Sequence, residues 1–118
     1  MSYEDREFFR VEFVNKKCEI ELFKGYVEAI IKDISAKGMG VIVESEIPPQ
    51  LFTNAYAILE LDKEREIDIE MVKHEVLNPI SHFYGLKFVG LKEDEENKIL
   101  AYLLHEDIKR KNAEKESN

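Results

Sequence analysis

Short stretches of this chain alternate apolar and charged residues with a period of two. That repetition constrains the fold more than any other feature. Cys18, Ile20 and Leu22 alternate with charged neighbours, Val27, Ala29 and Ile31 do so in part, and Met39, Val41 and Val43 continue the period after a glycine-containing turn. The pattern returns at Ala55, Ala57, Leu59 and Leu61, and again at Ile67, Ile69 and Met71. A mixed aromatic and aliphatic stretch from His82 to Leu91 closes the set. Alternate side chains of a strand face opposite ways, so each stretch reads as a strand with one buried face. Pro48-Pro49 and Asn78-Pro79 mark a loop and a turn between them. About six short strands separated by turns predict a small antiparallel barrel or sandwich.

The period changes near the end of the chain. Ile99, Leu100, Leu103, Leu104 and Ile108 fall at helical spacing, with Tyr102 beside them. Glu93 to Glu96 lead this segment and Lys109 to Lys111 trail it, an order that complements the helix dipole. The pattern predicts one amphipathic helix over residues 94–110, its apolar stripe laid on one barrel opening. Residues 112–118 read as a frayed, disordered tail. The stripe is too short for a coiled coil, which takes three or four heptads.

The chain has 118 residues, a length that suits one domain, here residues 1–111. Hydrophobic residues make up 44% of it, enough for a core without disulfides or metals. Cys18 is the only cysteine, so neither an internal disulfide nor a cysteine-rich zinc site can form, and a reducing, cytoplasmic setting is expected. No apolar run approaches the roughly 20 residues that span a bilayer. The N-terminus lacks the basic-then-apolar layout of a signal peptide.

The net charge is −8, unevenly spread: −1 over residues 1–38 and −7 over residues 39–118. Non-specific nucleic-acid binding rests on Lys/Arg–phosphate contacts, so this balance disfavours DNA and RNA as partners. The near-neutral first third is the place to seek a small anionic ligand.

Two short elements there carry chemistry. The chain has four arginines against thirteen lysines, and two of the four, Arg6 and Arg10, bracket Glu7-Phe8-Phe9. A planar guanidinium fork is suited to phosphate or a flat acceptor edge, where lysine offers only a point charge. On a helical turn, positions i and i+4 converge; on a strand they sit roughly 13 Å apart. A convergent clamp therefore predicts a turn or loop here, against the plainer reading of two solvated arginines in a mobile segment over residues 1–10. The second element is Asp33-Ile34-Ser35-Ala36-Lys37-Gly38. Asp33 and Ser35 point the same way on an extended backbone, and Asp33 can accept the N1–H and N2–H₂ donors of guanine. Gly38 allows a left-handed turn or close approach to a ligand. The plainer reading is an Asx or Ser turn between strands.

Together, RxxxR at Arg6/Arg10 and [D/N]xSxxG at Asp33/Ser35/Gly38 resemble the motif pair of the PilZ family. The stretch Tyr84-Gly85-Leu86-Lys87-Phe88-Val89-Gly90-Leu91, followed by an acidic helix start, is similar to the family's last strand and closing helix. The resemblance implies a mainly β fold, a six-stranded antiparallel barrel with a C-terminal α-helix. It also implies cyclic di-GMP as ligand. Arg6 and Arg10 would grip phosphate and the guanine Hoogsteen edge, Asp33 and Ser35 would read a guanine, and Gly38 would shape the loop. Many members carry Gly at the position of Lys37, and some carry a further Arg at that of Asp5. Lys37 either adds attraction for phosphate or crowds the loop, and Asp5 repels phosphate.

The function expected on these grounds is a receptor domain, not an enzyme. It has no cofactor or metal and relays ligand occupancy to a protein effector in trans, in motility or exopolysaccharide control. Two alternatives are a non-binding adaptor of the same fold and a small barrel that binds single-stranded nucleic acid. His74, His82 and His105 lack metal-ligand spacing and read as surface or packing residues. A monomer and a dimer are both compatible with the chain.

Overall fold

A computed structural model describes residues 9–22, 25–44 and 55–116. Six antiparallel strands form a closed barrel: β1 (Arg10–Leu22), β2 (Gly25–Ser35), β3 (Gly38–Glu44), β4 (Ala55–Glu60), β5 (Glu64–Asn78) and β6 (Ser81–Val89). Their order around the barrel is β1-β2-β3-β6-β5-β4, with β1 closing on β4. Closure rests on Glu19–Glu21 of β1 paired with Tyr56–Ile58 of β4, and among the described residues all strand pairs are antiparallel. Of the two architectures the strand pattern allowed, the barrel is the one formed.

The alternation sets the core. Cys18 and Ile20 of β1, Ala29 and Ile31 of β2, Met39, Val41 and Val43 of β3, and Ala55, Ala57 and Leu59 of β4 all point inward and are buried. Ile67 and Ile69 of β5 and Tyr84, Leu86 and Phe88 of β6 complete the ring. Cys18 is pressed into this apolar wall, and burial pushes its thiol up to about 12. A thiol that stays protonated is a poor nucleophile. In the native protein Cys18 is therefore expected to resist a thiol-reactive dye at pH 8 and to react promptly after unfolding. Fast labelling of the native state would contradict the burial.

The last element, α1, spans Glu93–Glu116. It follows a left-handed turn at Gly90, whose φ is +78°. Ile99 and Leu103 are fully buried in the barrel core and Leu100 nearly so, whereas Ile108 is exposed. The helix is tied to β1 at two points: Lys16 Nζ lies 3.5 Å from the Tyr102 hydroxyl, and the Arg110 guanidinium donates to the Glu12 carbonyl. It runs past Arg110, the expected end, so residues 111–116 are helical and not a frayed tail. Lys109–Glu106 and Lys111–Asp107 ion pairs, at i,i+3 and i,i+4, support this exposed end, and Ala, Glu and Lys favour helix.

Two polar contacts brace the barrel. Arg65 on β5 is buried and donates from Nε and Nη2 to the two carboxylate oxygens of Asp62, each at 2.8 Å. This bidentate pair holds the Asp62 carboxyl below the usual range. A depressed carboxyl contributes stability that is fully present above the ordinary Asp value near 4 and is lost as pH falls through the lower folded value. Asp62→Ala is expected to cost about 1.5–3 kcal/mol near neutral pH, toward the lower end because Asp62 is one-third exposed. Urea melts of both proteins would show that gap constant from pH 7 to 5 and shrinking only below about pH 4. The second contact joins His74 Nε2 to His82 Nδ1 at 2.8 Å, with both rings stacked beside Tyr84. The two histidines, read from the sequence as surface or packing residues, are partners across the β5–β6 hairpin.

Candidate functional site

The site grows from three strands that meet at one end of the barrel. Arg10 opens β1 and sits opposite Ser35, the last residue of β2. Asp33 lies just past an irregularity in β2–β3 pairing, where the register shifts between Ile31 and Asp33. A bulge of this kind re-aims the side chains that follow it. The result is that Arg10, Asp33 and Ser35 meet although Arg10 is far from the others in sequence.

The contacts are specific. Arg10 donates from Nε at 3.1 Å and from Nη2 at 2.9 Å to Asp33 Oδ1, and from Nη1 at 3.3 Å to Ser35 Oγ. The Gly40 amide also donates to Asp33 Oδ1, at 3.2 Å. Among the described residues no hydrogen bond reaches Asp33 Oδ2, so one carboxylate oxygen remains open to a donor. Ser35 is buried and acts as the hub of the loop. Its Oγ accepts from the amides of Lys37 and Gly38, both at 3.2 Å, and donates to the Gly38 carbonyl at 3.3 Å. The Ser turn offered as the plainer reading is therefore real, and the same hydroxyl also receives Arg10.

Gly38 is required for packing, not for handedness. Its φ is not positive, but a β-carbon there would collide with the Leu86 carbonyl oxygen on β6. No left-handed turn forms at Gly38, and the close approach that the structure shows there is to β6. The segment is pinned further by the Phe88 amide, which donates to the Lys37 carbonyl at 2.8 Å.

Arg10, Ser35, Lys37, Gly38 and Met39 form one side of an open cavity of about 550 Å³, and Val72, Gly85, Leu86 and Lys87 form the other. That volume is in the range of small-molecule sites. Asp33 lines a neighbouring hollow of about 260 Å³ with Lys32, Lys73 and Phe83. The cavity therefore carries Arg10, Lys37 and Lys87 as cations, with the Asp33 carboxylate at its edge. Two hollows around Tyr56, of about 270 and 500 Å³, are lined by Glu66, Asp68, Glu70 and Glu95 and would repel an anion.

Arg10, Asp33, Ser35 and Gly38 come together. Arg10 does so from a strand, not from the turn or loop its spacing predicted, because cross-strand pairing brings it to Ser35. Arg6 and Asp5 lie outside the described residues, as do residues 1–8 of the segment read as mobile. Val72, Gly85 and Lys87 were not legible as site residues, since each reads as an ordinary strand position. Among the described residues no group of three or more His, Cys, Asp or Glu side chains is placed to hold a metal. No described helix is long and apolar enough to cross a membrane.

Comparison with known proteins agrees with this architecture. Escherichia coli YcgR in complex with c-di-GMP superposes with a TM-score of 0.73 at 12% identity, over 93% of this chain and 49% of that one. The chain thus spans about half the length of YcgR. The isolated PilZ domain of YcgR with c-di-GMP gives a TM-score of 0.67 at 17% identity, over 91% of this chain and 95% of that one. The MrkH–c-di-GMP complex of K. pneumonia gives 0.69 at 19% identity, over 89% and 53%. No curated protein sequence matches the chain. At these identities the structures establish the fold alone. The sequence itself matches the PilZ domain family over residues 4–105, and with the barrel, the closing helix and the joined motif residues this chain belongs to the PilZ family.

Proposed function

We propose that this domain is a receptor for cyclic di-GMP that relays occupancy to a protein partner in trans. The observation that carries the reading is the Arg10 fork, held against Asp33 and Ser35 at the mouth of a cationic cavity. The ligand has two phosphates and two flat purines. Arg10, with Arg6 from outside the described residues, supplies planar donors for phosphate and for the guanine Hoogsteen edge. The open Oδ2 of Asp33 accepts from the guanine Watson–Crick edge. Ser35 and Gly38 hold the loop that presents these groups. Solved relatives with c-di-GMP bound support the ligand class. A motility or exopolysaccharide output is the family-level expectation for the partner.

One observation favours the adaptor reading: the Arg10 donors are already engaged by Asp33 and Ser35 within the chain. Calorimetric titration separates the two. Saturable heat with cyclic di-GMP, and none with GTP at the same concentration, supports the receptor. No heat and no thermal stabilisation would leave the barrel as an adaptor. The single-strand reading predicts oligonucleotide binding that falls steeply with salt, which the carboxylate-lined hollows oppose.

A further inference from the structure

Lys37 belongs to two places at once. Its backbone is fixed on both sides, the amide by Ser35 Oγ at 3.2 Å and the carbonyl by Phe88 at 2.8 Å. The residue is part of the wall of the cationic cavity. Yet its ammonium reaches away to α1, where it lies 2.7 Å from Glu96 Oε2. The Lys37 side chain is 44% exposed and that of Glu96 only 13%. This Glu96 oxygen is shielded from solvent and accepts no hydrogen bond of good geometry, so its compensation is electrostatic: among the described residues Lys37 is the one cation at ion-pair distance from it.

A shielded carboxylate oxygen without its counter-ion is costly. A lysine ammonium is a compact charge on a flexible stem and can swing between two anions within reach. A phosphate entering the cavity competes with Glu96 for that ammonium. We propose that Lys37 is a phosphate-binding residue held in reserve by Glu96, so that filling the cavity is felt in the first turn of α1. The inference rests on the receptor reading and adds how the ligand reaches the helix. Coupling of this kind is reciprocal: whatever weakens the Lys37–Glu96 pair strengthens the hold on the ligand.

The test is a double-mutant cycle read by calorimetry with cyclic di-GMP itself. Glu96→Gln keeps the shape and removes the charge, and is expected to tighten binding about five- to tenfold. Lys37→Met is expected to weaken binding by a similar factor. In the Lys37→Met background, Glu96→Gln is expected to change nothing, because no ammonium remains to be released. Unchanged or weaker binding in Glu96→Gln overturns the proposal, as does an effect that persists without Lys37. Hydrogen exchange in the unmodified protein gives a second readout that needs no variant to fold. Saturating ligand should speed exchange at amides of residues 97–100, and an unaltered rate there overturns the coupling. Absence of any binding by the parent protein overturns the receptor reading and this inference together, whereas parent binding with a flat cycle overturns this inference alone.

Discussion

Replacing Arg10 with alanine is expected to weaken cyclic di-GMP binding by about a hundredfold or more while the barrel stays folded. Arg10 stands at the first residue of β1, and its side chain is 46% exposed. It contributes nothing to the core, and its ion pair with Asp33 is the surface kind, worth about 1 kcal/mol or less. The melting temperature should therefore shift by only a few degrees. Binding is a different matter. Each hydrogen bond from a charged donor is worth about 1.5–3 kcal/mol, and in the proposed site the fork would present more than one to the ligand. Losing two of them corresponds to roughly two to four decades in Kd. Arg10→Lys sharpens the test, since it keeps the charge and loses the planar fork. It should still cost about tenfold or more, because a lysine cannot make the paired contact. If Arg10→Lys binds like the parent, the guanidinium acts only as a charge and the proposed base contact is wrong. If Arg10→Ala binds like the parent, the cavity beside it is not the ligand site.

Salt dependence separates the two contributions of such a residue. The phosphate contact weakens as ionic strength rises, because the Debye length shortens from about 10 Å at 0.1 M to about 3 Å at 1 M. The contact to a flat base edge depends on direction and distance more than on long-range charge. Arg10→Lys should therefore resemble the parent more closely at low salt than at high salt.

The strands and the helix were legible because their periods are. Ala55, Ala57 and Leu59, or Ile67 and Ile69, bury one face and expose the other as alternation requires. Barrel closure was not legible from the pattern, because a sandwich buries the same alternating face. It shows only in the pairing of β1 with β4, Glu19 opposite Ile58 through Glu21 opposite Tyr56. The site follows the same division. Asp33 and Ser35 stand two apart, so their convergence could be read from local spacing. Arg10 joins them through the β1–β2 register, which no local spacing reveals. His74 and His82 are the same case, since the hairpin register places His74 opposite Tyr84 and Val76 opposite His82, bringing the two rings into diagonal contact. Lys37 was visible as a charge in the loop. Its partner Glu96 was visible only as one of four acidic residues at a helix start. The far wall of the cavity, at Val72, Gly85 and Lys87, carries no chemical signature and becomes a wall only because β6 lies between β3 and β5.

The largest effect on stability is expected from Gly38→Ala. Gly38 opens β3 directly opposite Lys87 on β6. A methyl group at 38 would collide with the Leu86 carbonyl oxygen and approach the Lys87 α-carbon at 3.3 Å. Both obstacles are backbone in a paired strand, so no flexible side chain can turn aside to make room. Overpacking of this kind costs about 1–3 kcal/mol or more. For a domain near this size that corresponds to a fall in melting temperature of roughly 5–15 °C. The damage should not stop at stability. Separation of β3 from β6 stretches the bond from the Phe88 amide to the Lys37 carbonyl and shifts the Gly38 amide that Ser35 Oγ accepts. Ser35 then no longer holds the loop in the shape that receives Arg10. Titration at a temperature where Gly38→Ala remains folded should therefore show weaker ligand binding, even though residue 38 offers no side chain to the ligand. A melting temperature equal to that of the parent would mean that β3 and β6 do not approach as closely as described. A destabilised variant that binds normally would mean that the loop takes its shape from Ser35 alone and not from the strand beneath it.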